Sequence, residues 1–175
     1  NGKKGEAMPE ADKEVFITNE TYCQNYGSVQ QYFADMSDSQ FIPQFDVVDP
    51  VTVSKNSAYY GKNGRDNGSD TNYPQMIKEA CQQVDKKVNF ADYDSDGDGY
   101  VDLVYVIYAG YSESISGNSG DCLWPKSGTV GVGTYDGKTV SRFGINNELN
   151  NKPADTQDGK YYINGIGLFC HEFSH

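Results

Sequence analysis

Behind Ser28 the apolar residues Val29, Tyr32, Phe33 and Met36 recur at helical spacing, and the serine oxygen can receive one of the first free N–H groups. This pattern predicts a short helix over 29–36. Phe45–Val48 and Val51–Val53 read as two strand pieces interrupted by Pro50, which cannot donate to a ladder. The Gly- and Asn-rich stretch 60–72 reads as a loop. From Tyr73 to Val88 the apolar positions Ile77, Ala80, Cys81, Val84 and Val88 follow the helical repeat, with Pro74 suited to the first turn. Leu103–Ala109 is a continuous β-branched and aromatic run, the signature of a strand buried on both faces. Ser112–Gly133, rich in Gly and Ser around Trp124-Pro125, reads as a long loop bordering a cleft. Thr139–Ile145 alternates like an edge or rim strand, and 150–160 is polar and loop-like. Gly165 opens a last apolar segment in which Leu168, Phe169 and Phe173 can pack a helix onto the core.

Composition narrows the class. The 175 residues fit one domain, which buries about two thirds of its unfolded surface. With 25 acidic against 14 basic residues, a formal charge of −11 and no basic block, nucleic acid and anionic membrane surfaces are poor partners. No apolar run approaches the roughly 20 residues of a membrane span. Fourteen tyrosines, 19 glycines and a hydrophobic share of 37% suit a loop-rich extracellular protein. Residues 1–14, mostly charged or small, read as a disordered or linker leader. Cys23, Cys81, Cys122 and Cys170 have no C-x-x-C spacing, which argues against a zinc ribbon. Disulfides stay open, but Cys81 and Cys170 fall within apolar helical patterns and read as buried free thiols.

Two segments carry chemistry. Asp94, Asp96 and Asp98 stand at positions one, three and five of a loop with Gly99 at six, the Tyr100 carbonyl at seven and Asp102 at nine. That is the oxygen-ligand spacing of a calcium loop. Four carboxylates this close repel one another, and Ca²⁺ removes that cost. Position twelve is Tyr105 rather than a bidentate glutamate, and a strand follows, so a structural Ca²⁺ is expected rather than a helix-loop-helix sensor. The bland reading is a solvated acidic turn.

The chain ends in His171-Glu172-Phe173-Ser174-His175, an H-E-x-x-H motif that contains both of its histidines. On a helix, residues four apart share a face, so His171 and His175 can hold one Zn²⁺ while Glu172 serves as general base toward an activated water. Catalytic zinc takes three protein ligands, and two are present here. The expected chemistry is hydrolysis of protein or peptide substrates without a covalent intermediate. The competing class is a non-catalytic, calcium-stabilised binding or adhesion module with a vestigial metal site.

From about Gly27 to His175 the chain resembles the immune-inhibitor-A-like family of secreted bacterial zinc metalloproteases. The resemblance rests on Gly27–Phe33, Phe45–Val48, Tyr59–Gly61, Asp92–Asp102, Tyr108–Tyr111, Asn147–Leu149 and Gly165–His175, in that order. It implies an α+β, zincin-like catalytic domain: a mixed twisted sheet, a backing helix and an H-E-x-x-H helix. It also implies a zinc endopeptidase with structural calcium. His171 and His175 match zinc ligands, Glu172 the base, and Asp94, Asp96, Asp98 and Asp102 the calcium loop. In the family the helix continues to a glycine and a third ligand, commonly aspartate. Residues 15–175 are therefore expected to be the N-terminal part of such a domain, truncated after the second histidine and inactive or partial alone. Relatives often carry a histidine where Lys126 follows Trp124-Pro125, and an apolar strand where Asn1–Glu14 is polar.

Overall fold

The computed structural model describes residues 27–64, 69–117, 120–152 and 161–175. The leader 1–14, Cys23, residues 65–68 of the loop expected over 60–72 and residues 153–160 of that expected over 150–160 lie outside these residues. In chain order the helices and strands are α1 (Val29–Met36), α2 (Ser57–Tyr60), α3 (Tyr73–Val84), β1 (Val104–Tyr108), α4 (Glu113–Ser116), β2 (Lys126–Tyr135), β3 (Lys138–Asn147) and α5 (Ile166–Phe173). A 3₁₀ turn at Phe90–Tyr93 leads into the acidic loop.

Helix α1 forms as its pattern predicts, with the Ser28 hydroxyl accepting from the Gln31 N–H at 3.1 Å. Helix α3 starts at the expected place, with Pro74 in its first turn, but ends at Val84. Its last predicted turn closes instead as N–H bonds from Lys87 and Val88 onto the Val84 carbonyl.

The sheet has the order β1-β3-β2, with β1 parallel and β2 antiparallel to β3. Three expectations change here. Phe45–Val53 forms no strand; its backbone is held by side chains, the Gln83 amide donating to Thr52 O at 2.9 Å and Glu79 accepting from the Ser54 N–H at 2.8 Å. Part of the expected long loop, from Lys126 onward, is strand β2, which joins β3 through Asp136-Gly137. Both turn residues have positive φ, 49° and 77°, as the tight hairpin turn requires. An Asp-Gly pair between alternating segments is the signal that locates this hairpin.

The third change concerns β3, which is the central strand rather than an edge. Its alternation looks half-solvated because Arg142, Gly144 and Asn146 share one face. That face is covered: the Tyr105 ring, opposite Gly144 in register, lies against it.

Strand β1 does have apolar neighbours on both faces, as its continuous run predicts. Val104, Val106 and Tyr108 join a core with Tyr60, Met76, Ile77, Cys81, Phe143 and Ile145, under α3. Tyr105 and Ile107 join a second core with Val29, Ile166, Phe169 and Cys170, between the sheet and α1 with α5. Most of β1 is half-buried rather than sealed. A mixed sheet with a helix on each face is compatible with a peptidase domain.

Candidate metal centres

Helix α5 is seated by aromatic packing. Phe169, 2% exposed, stacks on Tyr105 with ring centroids 3.9 Å apart, and Phe45 meets it edge-on at 5.4 Å. Phe173 is enclosed by Phe33, Phe41 and Phe45, at 4.8, 6.1 and 5.6 Å. Leu168, expected in the core, is only half-buried; Ile166 and Cys170 take that role. The last turn closes through Ser174, whose hydroxyl donates to the Cys170 carbonyl at 2.6 Å.

This seating fixes which side chains reach outward. His171 and His175 are exposed, with their Nε2 atoms 3.3 Å apart and their rings edge-to-face. Two nitrogens about 2.0–2.1 Å from one tetrahedral ion stand about 3.3 Å apart. The pair thus fits a shared Zn²⁺. Glu172, next to His171 in sequence, is only 8% exposed. Its neighbourhood includes Tyr105, whose burial pushes the phenol far up, with the Glu172 charge adding to the effect. Beside the histidines runs an open groove of about 790 Å³ between α5 and α1, bordered by Tyr32, Asp35 and Met36. Cys170 also borders the groove, but burial pushes its thiol up to about 11 and keeps it protonated at neutral pH. Cys81, Cys122 and Cys170 are all free, as expected for Cys81 and Cys170. Burial pushes the Cys81 thiol to about 12.

The acidic loop is anchored to β3 at its C-terminal end. Val101, 2% exposed, sits in the core, and its N–H donates to Thr139 O while the Thr139 N–H donates to Gly99 O, both at 2.9 Å. Gly97 and Gly99 have φ of 74° and 87°, a region costly for side-chain-bearing residues. These turns bring one oxygen each from Asp94, Asp96 and Asp102 within 4.8 Å of one another. Oxygens on opposite sides of one Ca²⁺ stand about 4.6–5.2 Å apart, so the cluster has the right size.

Asp94 has two differently used oxygens. Oδ2 accepts from Lys138 Nζ at 2.6 Å and from the Gly99 N–H at 3.0 Å; Oδ1 is buried and has no partner. The side chain is 0% exposed, so the bare oxygen is costly unless a cation meets it. Asp98 is elsewhere: Oδ1 accepts from the Tyr100 N–H and Oδ2 from Arg142, both at 2.8 Å. Tyr100 is exposed and lies under the Arg142 guanidinium, 5.7 Å from ring centroid to Cζ. The Lys138 ammonium holds the Asp94 carboxyl below its usual range, and Arg142 does the same for Asp98. Neither cation is legible from the loop, because each lies 44 residues away in sequence.

Lys126 has a partner as well. Its ammonium lies 2.7 Å from Asp70, whose side chain is 0% exposed and also accepts from the Trp124 N–H at 3.0 Å. The same ammonium sits 4.8 Å from the Tyr73 ring centroid.

The family profile described as Immune inhibitor A peptidase M6, catalytic domain, matches residues 10–175. Among curated proteins the chain is similar to the pre-pro-metalloprotease PrtV of Vibrio cholerae serotype O1. In strain M66-2 the two are 25% identical over 173 residues, covering 87% of this chain and 18% of the relative. The protein of the same name in strain ATCC 39315 / El Tor Inaba N16961 gives the same values. The chain thus spans less than a fifth of the length of these relatives.

Proposed function

The chain belongs to the immune inhibitor A peptidase M6 family, and from that membership we propose that it carries the histidine and glutamate machinery of a zinc-dependent endopeptidase of zincin type. The observation behind this reading is the His171–His175 pair, 3.3 Å apart at Nε2 on a helix fixed by Phe169 and Phe173. His171 and His175 would hold the metal. Zinc, when bound, supplies Lewis acidity toward a peptide carbonyl and toward water. Glu172 would be the general base: a carboxylate next in sequence to His171 and only 8% exposed. It takes a proton from water and returns it to the leaving amine. The groove beside the histidines gives a peptide room to approach them.

Calcium belongs to the same proposal as a structural ion. Asp94, Asp96 and Asp102 would hold it, with the bare Asp94 Oδ1 as the supporting observation; the Tyr100 carbonyl and Asp98 complete the set in this reading. Bound there, the ion would hold the two ends of the loop between α3 and β1 together through Asp94 and Asp102. Secretion is part of the reading too. It draws on the relatives' description as pre-pro-metalloproteases, and no helix among the described residues is long and apolar enough to cross a membrane.

Casein digestion by the full-length polypeptide tests the function. Activity is expected to disappear with a chelator, return with zinc, and fall by at least about a thousandfold in Glu172→Gln with zinc still bound. Full activity in Glu172→Gln refutes the assignment of the base.

A further inference from the structure

The acidic loop is met by two cations from β3. Arg142, on the central strand, reaches Asp98 at 2.8 Å and covers the Tyr100 ring. Meanwhile Asp94, Asp96 and Asp102 already cluster within 4.8 Å, and the buried Asp94 Oδ1 has no partner. Lys138 and Arg142 therefore occupy different positions relative to the cation. Lys138 bonds Asp94 through Oδ2, the oxygen that also receives the Gly99 N–H, and leaves Oδ1 bare. Arg142 takes an oxygen of the one aspartate of the spaced series that lies outside the cluster.

Resting on the calcium reading above, we propose that Arg142 is a tethered competitor for calcium, holding Asp98 out of the site until the ion displaces it. The loop then has two states. In the latched state three carboxylates face the cation position, and the guanidinium neutralises the fourth. In the loaded state Asp98 turns in as a further ligand and Arg142 is released along β3. Calcium-loop affinity rises with the number of charged ligands, so the latch lowers affinity in two ways that share a sign. It withholds a carboxylate, and it keeps a positive charge beside a divalent cation. With side chains 43% and 33% exposed, the pair is solvent-screened and yields to calcium rather than replacing it.

Calcium titration of this chain by calorimetry, with folding followed by circular dichroism, tests the latch. Arg142→Gln is expected to bind calcium about three- to tenfold more tightly than wild type. Most of that gain should vanish when Asp98→Asn is also present. Wild-type or weaker affinity in Arg142→Gln overturns the latch and leaves the calcium reading standing. A gain that survives in full with Asp98→Asn also overturns it, since Arg142 would then act through its field alone. If folded wild type and folded Arg142→Gln both fail to take up calcium, the loop is no calcium site and both readings fall.

Discussion

The ring of Tyr105 lies directly over Gly144, its register partner on the central strand, so closely that a Cβ at 144 would collide with the ring. The same ring stacks on Phe169. One glycine therefore lets a tyrosine bridge the sheet and the helix that bears the histidines.

Gly144→Ala is expected to destabilise the chain by about 1–3 kcal/mol, because the ring has to shift against packed neighbours. Denaturant unfolding measures the loss, and an unchanged midpoint contradicts the packing described. Tyr105→Phe should do the opposite. The Tyr105 hydroxyl is buried without a hydrogen-bond partner, so its removal should cost nothing or gain up to about 1 kcal/mol.

Glu79 links the segment around Ser54 to α3. The Ser54 N–H is the main cause that holds its carboxyl at about 2, with the Tyr60 hydroxyl and the Gln75 amide adding to it. The folded value lies below the unfolded one of about 4.3, so this stability is complete above pH ~4.3 and is lost as pH falls toward 2. Glu79→Gln should lower stability at pH 7 and flatten its pH dependence between about 4.5 and 2. Urea unfolding across that window checks the slope.

Lys126 balances a carboxylate with 0% side-chain exposure. Lys126→Met is expected to cost about 3–5 kcal/mol, because it leaves Asp70 charged and unpaired. Adding Asp70→Asn should recover part of the loss. A thermal melt of the three variants separates this role from one in substrate contact, which would leave stability unchanged.

Zinc should raise the melting temperature of the wild-type chain, since a ligand that binds only the folded state stabilises it. Chelator should reverse the shift. His171→Ala and His175→Ala should each abolish most of it, as measured by scanning calorimetry. An equal shift in both variants would place zinc elsewhere.

Much of this was written in local patterns. The Ser28 cap, the α1 and α3 repeats and the H-E-x-x-H spacing depend on residues within a few positions of one another, where 3.6-residue periodicity fixes who shares a face. The same holds for the aspartate spacing and the left-handed glycines of the acidic loop. Glycine-rich β2 is a strand by pairing rather than by propensity, and its partner lies across the Asp136-Gly137 turn. Phe45–Val53 is the converse case: it has strand-like residues but no ladder to join among the described residues. Strand β3 looked peripheral because Gly144 and Asn146 appear polar or small, whereas the Tyr105 ring and α5 cover that face.

The sequence by itself determined the spacing of the candidate ligands, since which side chains can share a face or a turn at short range follows from helix and turn repeats. Tertiary structure alone decided their surroundings: the ring that seats the histidine helix, Lys138 on Asp94, and Arg142 drawing Asp98 away. Those contacts join residues tens of positions apart, and no local pattern encodes which strand becomes central or which of its side chains will face a distant loop.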